Sequence, residues 1–197
     1  MKINEIVIAT SNLNKLKEFN EIFSPYNIKI ISLNDLNINI DVEETGTTFK
    51  ENALIKAKEI SKYTSKIILS DDSGIIIDDM GDNKPGVYSH RFQNKLGGVD
   101  KANEYITKNY PNSKAHYTCS ICVYNLDEEP LSFEGYMYGH IANEIKGTNG
   151  FGYDPIFIPE GYNNTLGELG DEIKNSISHR GNAIKLLLKY FKDNNLI

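Results

Sequence analysis

Two carboxylates stand side by side in Asp71-Asp72-Ser73-Gly74, and a second acidic group, Asp41-Val42-Glu43-Glu44-Thr45-Gly46, lies upstream of them. Such oxygen donors suit a hard cation, because Mg²⁺ takes one or two carboxylates together with waters and substrate phosphates. An Asx turn or a surface bend would use the same residues for nothing but shape. Glu51 has a plain role of its own as the acid of a capping box in Thr48-Phe49-Lys50-Glu51. Lys56 is more informative. At about 100° per residue it falls within roughly 20° of Phe49 on a helical wheel, beside Ala53, Ala57 and Ile60. A lysine on a buried stripe either snorkels to water or aims its ammonium into a cleft.

Three further stretches carry polar or stacking chemistry. Thr10-Ser11-Asn12-Leu13-Asn14-Lys15 is a strand-to-helix turn rich in donors. The start of a helix exposes unpaired N–H groups and the positive end of its dipole, a natural anion site, and a Ser/Thr/Asn helix cap is the alternative. It lacks the glycines of a Walker loop. Gly147-Thr148-Asn149-Gly150-Phe151-Gly152-Tyr153-Asp154-Pro155 lets backbone approach a ligand closely, with Phe151 or Tyr153 available to stack on a base. Lys174 precedes Ser176-Ile177-Ser178-His179-Arg180, which sets a His and an Arg at a helix start. Helices favour cations at the other end, so this placement makes sense if an anion or a keto oxygen binds there.

Alternation and helical period supply the elements that must position these groups. Residues 3–9 and 28–32 read as strands, with an amphipathic helix over 13–23 whose Leu16, Phe19 and Phe23 face inward. A helix begins at Thr48, and short strands over 67–70 and 75–78 flank the acidic pair. Gly97-Gly98 then punctuates, followed by a helix over 100–108, two long β segments over 115–124 and 131–140, and a strand over 155–158. Ser178 caps a last helix with a stripe of Ile184, Leu187, Leu188 and Phe191. The order predicts an α/β protein with one mixed central sheet flanked by helices and two lobes around a cleft. No internal repeat or linker divides the chain, so residues 1–197 are expected to form one domain.

Composition removes several function classes. The chain has 197 residues, 40% of them hydrophobic and 24% charged, with a net charge of −6. That balance argues against a broad nucleic-acid footprint or attraction to anionic membrane, both of which need a basic face. No run approaches the roughly 18 apolar residues of a membrane span, and the N-terminal stretch resembles no signal peptide, so a cytoplasmic protein is expected. Cys119 and Cys122 form C-x-x-C in a β-like segment, where a spacing of three puts the sulfurs on opposite faces. Two buried, reduced thiols are expected, not a zinc site.

Taken in order, these stretches resemble the inosine triphosphate pyrophosphatase family, also called the Ham1/RdgB-like pyrophosphatases. The resemblance rests on Ala9-Thr10-Ser11-Asn12 with Lys15, Glu43-Glu44-Thr45-Gly46 with Phe49 and Glu51-Asn52-Ala53, and Asp71-Asp72-Ser73-Gly74. Pro85-Gly86-Val87-Tyr88-Ser89, Gly150-Phe151-Gly152-Tyr153-Asp154-Pro155-Ile156-Phe157 and Ser178-His179-Arg180 complete it across nearly the whole chain. It implies an elongated, ITPase-like α/β fold, a homodimer, and Mg²⁺-dependent hydrolysis of ITP, dITP and XTP to monophosphate plus pyrophosphate, cleansing the nucleotide pool. Thr10, Ser11, Asn12 and Lys15, helped by Lys56 and Lys174, would hold phosphates. Glu44 and Asp72 would bind Mg²⁺, and Asp72 would also activate water. Phe151 would stack on the base, Asp154, His179 and Arg180 would contact its edge, and Ser73, Gly152 and Tyr153 would line the substrate site. His90, between Ser89 and Arg91, departs from the family's small residue, as Asn14 does from its Gly or basic residue.

The mixture of signs fits that chemistry. A triphosphate repels a carboxylate cluster unless a divalent cation intervenes, and Lys15, Lys56 and Lys174 supply the remaining positive charge. Phosphoryl transfer needs mainly positioning and charge neutralisation. A donor such as Arg180 fixed against the 6-position would accept a keto base and leave a donor unpaired against adenine. The alternatives are a Maf-like pyrophosphatase with other base preference, or a nucleotide sensor without turnover.

Overall fold

A computed structural model describes residues 2–197. Strands β1 (Glu5–Ile8), β2 (Lys29–Ile31), β3 (Ile68–Ile77), β4 (Lys114–Tyr124), β5 (Leu131–Ile141) and β6 (Phe157–Pro159) form one sheet in the order β2-β1-β3-β4-β5-β6. β1 pairs in parallel with β2 and β3, whereas β5 and β6 are antiparallel. The sheet is therefore mixed. The helices are α1 (Leu13–Phe23), α2 (Phe49–Ile60), α3 (Ser89–Lys95), α4 (Val99–Asn109), α5 (Asp171–Ile177) and α6 (His179–Asp193). No helix among the described residues is long and apolar enough to cross a membrane.

The chain divides into two compact units. The first comprises Met1–Asp72, Cys119–Gly135 and Ala183–Ile197. Here period-two alternation sorts each strand between two cores. Ile6, Ile8, Leu69, Cys119, Ile121 and Val123 pack with Phe19 and Phe23 of α1 and with Ala183, Ile184, Leu187, Leu188 and Phe191 of α6. Val7, Ile31, Ile68 and Cys122 face Ala53, Ala57 and Ile60 of α2 instead. The two cysteines thus fall on opposite faces as their spacing predicts, and both are buried thiols.

The second unit comprises Ser73–Thr118 and Tyr136–Asn182. Ile75, Ile77, Ala115, Tyr117, Met137, Ile141 and Phe157 pack with Ala102 and Ile106 of α4. The long strands β3, β4 and β5 contribute residues to both units.

Two local expectations are corrected. β3 runs unbroken through Asp71-Asp72-Ser73-Gly74, where the sequence suggested two short strands around a turn. Adjacent acids suggest a bend only while their partners are unknown. Here Asp71 and Asp72 are buried and answered by side chains on opposite faces of the strand. Residues 155 and 156, expected to open a strand, lie in a 3₁₀ turn, Asp154–Ile156, and β6 begins at Phe157. Helices α3 and α5 carry no side-chain cap, which left no start signal for either.

Candidate active site

In the first unit, Thr48 caps α2 by accepting from the Glu51 amide at 3.1 Å, while Glu51 Oε2 accepts from the Thr48 amide at 3.2 Å. The capping box is complete, and the Thr47 amide and hydroxyl, with a smaller contribution from Thr48, hold the Glu51 carboxyl below the ordinary range. With the helix start fixed, Phe49, Ala53, Ala57 and Ile60 are buried and Lys56 is carried with them. Its ammonium pairs with Glu44 at 2.6 Å, the lysine side chain being 14% exposed. Burial works against the charged amine, but Asp71, Asp72 and Glu44 outweigh it and hold the Lys56 pKa above the ordinary lysine value.

The strand-to-helix turn before α1 is a cap. Asn12 Oδ1 accepts from the amides of Asn14 and Lys15 at 3.0 and 3.3 Å, and the Thr10 hydroxyl accepts from the Asn12 amide at 3.1 Å. Ser11 is exposed beside them. Once α1 is started in this way, Lys15 lies one turn in and pairs with buried Asp71 at 2.9 Å. The Cys119 thiol also approaches Asp71, at 3.9 Å.

Asp72 faces α2. Asn52 Nδ2 donates to Asp72 Oδ2 at 2.9 Å, and Asn52 Oδ1 accepts from the Gly46 amide at 2.8 Å. One buried amide thereby ties Asp72 to the loop carrying Glu44. A Cβ at Gly46 would stand 2.6 Å from that amide oxygen, so the close approach needs glycine. Burial pushes the Asp72 carboxyl above its ordinary range; Lys56 opposes the shift, Glu44 adds to it, and Lys15 and the Asn52 amide oppose it.

Glu44 and Asp72 both act on Lys56, and their carboxylate oxygens are hard donors. That chemistry fits a hard cation such as Mg²⁺ and not a soft one. No group of three such side chains among the described residues is placed to hold an ion unaided. A cation here would need ligand oxygens and waters, the usual mode of Mg²⁺.

The second unit brings together a different set. Asp154 Oδ2 accepts from Lys174 Nζ at 2.8 Å and from the Phe151 amide at 2.8 Å, closing the turn that bears Phe151. Lys174 Nζ also lies 4.5 Å from the centre of the Phe151 ring, a cation–π contact. Lys174, assigned to the phosphates with Lys15 and Lys56, is thus placed beside the residues expected at the base. Tyr153 is turned inward, its hydroxyl donating to the Ser89 carbonyl at 2.6 Å, so its ring belongs to the core. Gly152 has φ 64°.

Ser178 opens α6, its hydroxyl accepting from the Gly181 amide at 2.9 Å. This sets His179 and Arg180 in the first turn. Arg180 is 1% exposed and donates to the Ser73 hydroxyl at 3.0 Å. His179 stacks on Tyr117 with centroids 4.7 Å apart and an interplanar angle of 16°. The Tyr117 hydroxyl also donates to Asp154 Oδ1, at 3.4 Å. Sequence reasoning missed Tyr117 and Asn52, because a strand tyrosine and a helix asparagine look like ordinary core and cap residues until their partners are known. Arg91 lies over the exposed Tyr88 ring at 5.2 Å, and His90 is exposed.

A mixed-sheet α/β protein with a lysine–carboxylate cluster in one unit, and the Phe151 ring beside buried Asp154 and Lys174 in the other, presents side chains suited to an anionic, ring-bearing ligand. The Ham1 family model matches residues 6–190, and the chain belongs to the Ham1 family. It is 42% identical over 194 residues to a dITP/XTP pyrophosphatase of Oceanobacillus iheyensis, covering 95% of this chain and 98% of that protein. A dITP/XTP pyrophosphatase of Listeria monocytogenes is 41% identical over 192 residues, with 95% and 94% covered. Among solved structures, the Ham1 protein of Staphylococcus aureus aligns with a TM-score of 0.83 at 36% identity, covering 96% of this chain and 99% of that one. A HAM1 protein of Coxiella burnetii gives 0.84 at 36% identity, with 97% and 100% covered.

Proposed function

We propose that this protein hydrolyses deaminated purine nucleoside triphosphates, dITP, ITP and XTP, to the monophosphate and pyrophosphate. The observation that carries the reading is the 42% identity, over nearly the whole of both chains, with a protein named for that activity. The two side-chain sets support it. Thr10, Ser11, Asn12 and Lys15 at the start of α1, with Lys56, offer donors and positive charge to phosphate oxygens. Glu44 and Asp72 are the residues that would hold Mg²⁺, which when bound would offset charge on the phosphates and make a water more acidic.

Asp72 accepts the proton of the attacking water. Burial raises its pKa, so before any cation binds it is a better base than an ordinary aspartate. Asn52 holds one carboxylate oxygen, which leaves the group oriented. Asp71, paired with Lys15, stabilises that lysine in place. Phe151 stacks on the purine, Lys174 and Asp154 fix the ring's surroundings, and His179 and Arg180 meet the base edge beside Ser73 and the Gly152-Tyr153 backbone. Arg180 as a buried donor favours a 6-keto base over a 6-amino one. Residues 1–197 act as one pyrophosphatase domain made of the two units. A cytoplasmic homodimer, binding neither nucleic acid nor membrane, completes the reading.

The test is pyrophosphate release with Mg²⁺ from dITP, ITP, XTP, dGTP and ATP, run in ¹⁸O water. The expected result is turnover of the first three, with label in the monophosphate. Label in pyrophosphate would place the attack elsewhere, and binding without turnover would make the protein a nucleotide sensor.

A further inference from the structure

Asn103 on α4 belongs to none of the groups above, yet it reaches the glycine-rich turn. It is 3% exposed, and its Nδ2 donates to the Gly152 carbonyl at 3.0 Å. A carbonyl oxygen only accepts, so the amide nitrogen must face Gly152 and Oδ1 must face away. That Oδ1 is buried with no hydrogen-bond partner among the described residues. A buried acceptor left without a partner costs stability. On the same helix Ala102 and Ile106 are fully buried, so an apolar side chain at this position would pack without that cost. Thr107, one turn on, does satisfy its hydroxyl, donating to the Asn103 carbonyl at 2.9 Å. What Asn103 contributes is therefore the bond to Gly152.

The turn is fastened at several points. Asp154 Oδ2 holds the Phe151 amide and Tyr153 holds the Ser89 carbonyl, while Asn103 holds the peptide between Gly152 and Tyr153. That peptide lies one residue beyond Phe151. We infer that Asn103 is a positioning residue that sets the pose of the Phe151 ring through the Gly152 carbonyl, and so governs affinity for the base and not the cleavage step. This rests on the reading of Phe151 as the platform for the purine.

The test compares the wild type with Asn103→Leu and Asn103→Ala in the full chain. It measures KM and kcat for dITP, inhibition by tripolyphosphate, which has no base, and the melting temperature. Loss of one such hydrogen bond should raise KM about tenfold, with kcat held within about twofold. Inhibition by tripolyphosphate should not change, and Asn103→Leu should melt no lower than wild type. KM within about twofold of wild type in a folded variant would overturn the proposal. So would parallel loss of tripolyphosphate affinity, which marks general loosening, or failure of both variants to fold. A wild type that releases no pyrophosphate from any purine triphosphate would instead sink the assigned activity. Calorimetric binding of dITP and of tripolyphosphate would then read the same contrast.

Discussion

The carboxylates of Asp71 and Asp72 lie on opposite faces of β3, so neighbours in sequence have drawn partners from different helices. Asp71 meets Lys15 of α1 at 2.9 Å, and Asp72 meets Asn52 of α2 at 2.9 Å. The pair consequently presents one carboxylate to a lysine and the other to an amide.

Asp72→Asn should lower pyrophosphate release at least about a hundredfold while raising the melting temperature at neutral pH by about 2 °C. The folded-state pKa of Asp72 is raised by burial, so the native protein binds the proton more tightly than the unfolded chain. Ionisation therefore costs stability as pH rises through the window from the ordinary carboxylate value to the raised one. Calorimetric melts from pH 3 to 8 should show the variant's advantage shrinking as pH falls and vanishing at the bottom of that window. A variant that melts lower at every pH contradicts this.

Lys56→Met should destabilise by about 2 kcal/mol, because Glu44, Asp71 and Asp72 lose the cation they share. Adding Glu44→Gln should return part of the loss, since one uncompensated carboxylate is removed. A double-mutant cycle by urea melts reads the coupling, and strictly additive effects would contradict the pairing.

Gly150→Ala should both destabilise the turn and raise KM for dITP. Gly150 has φ 72°, and a Cβ there would run into the Asp154 carboxylate. That carboxylate holds Lys174 and the Phe151 amide, so strain at residue 150 disturbs all three. A loss of about 1–2 kcal/mol is expected from urea melts. Unchanged KM and stability would show that the turn tolerates the side chain.

Neither cysteine should react with Ellman's reagent at pH 8 in the folded protein, and both should react after unfolding. Burial pushes the Cys122 thiol up to about 11, with Lys50 and Ser70 opposing, so almost no thiolate exists at that pH. Cys119 is fully buried. One fast-reacting thiol in the native state would contradict the sealed core.

Much of this was legible in the chain itself, wherever a single element carries its own signal. The capping box at Thr48 and Glu51, the seat of Lys56 on a buried stripe, the opposed faces of Cys119 and Cys122, and Ser178 opening α6 before His179 and Arg180 all follow from periodicity and capping, which act within one helix or strand. Partners brought together from distant segments were not legible. That Asp71-Asp72 is strand and not turn depends on Lys15 and Asn52 arriving from two helices. That Lys174 sits with Asp154 and Phe151, and that Tyr117 and Asn103 brace the same turn, depends on contacts across long stretches of chain. Local sequence determines how a segment curls and which face is apolar; only tertiary packing decides which buried charge meets which, because that choice rests on desolvation and distance in the folded core.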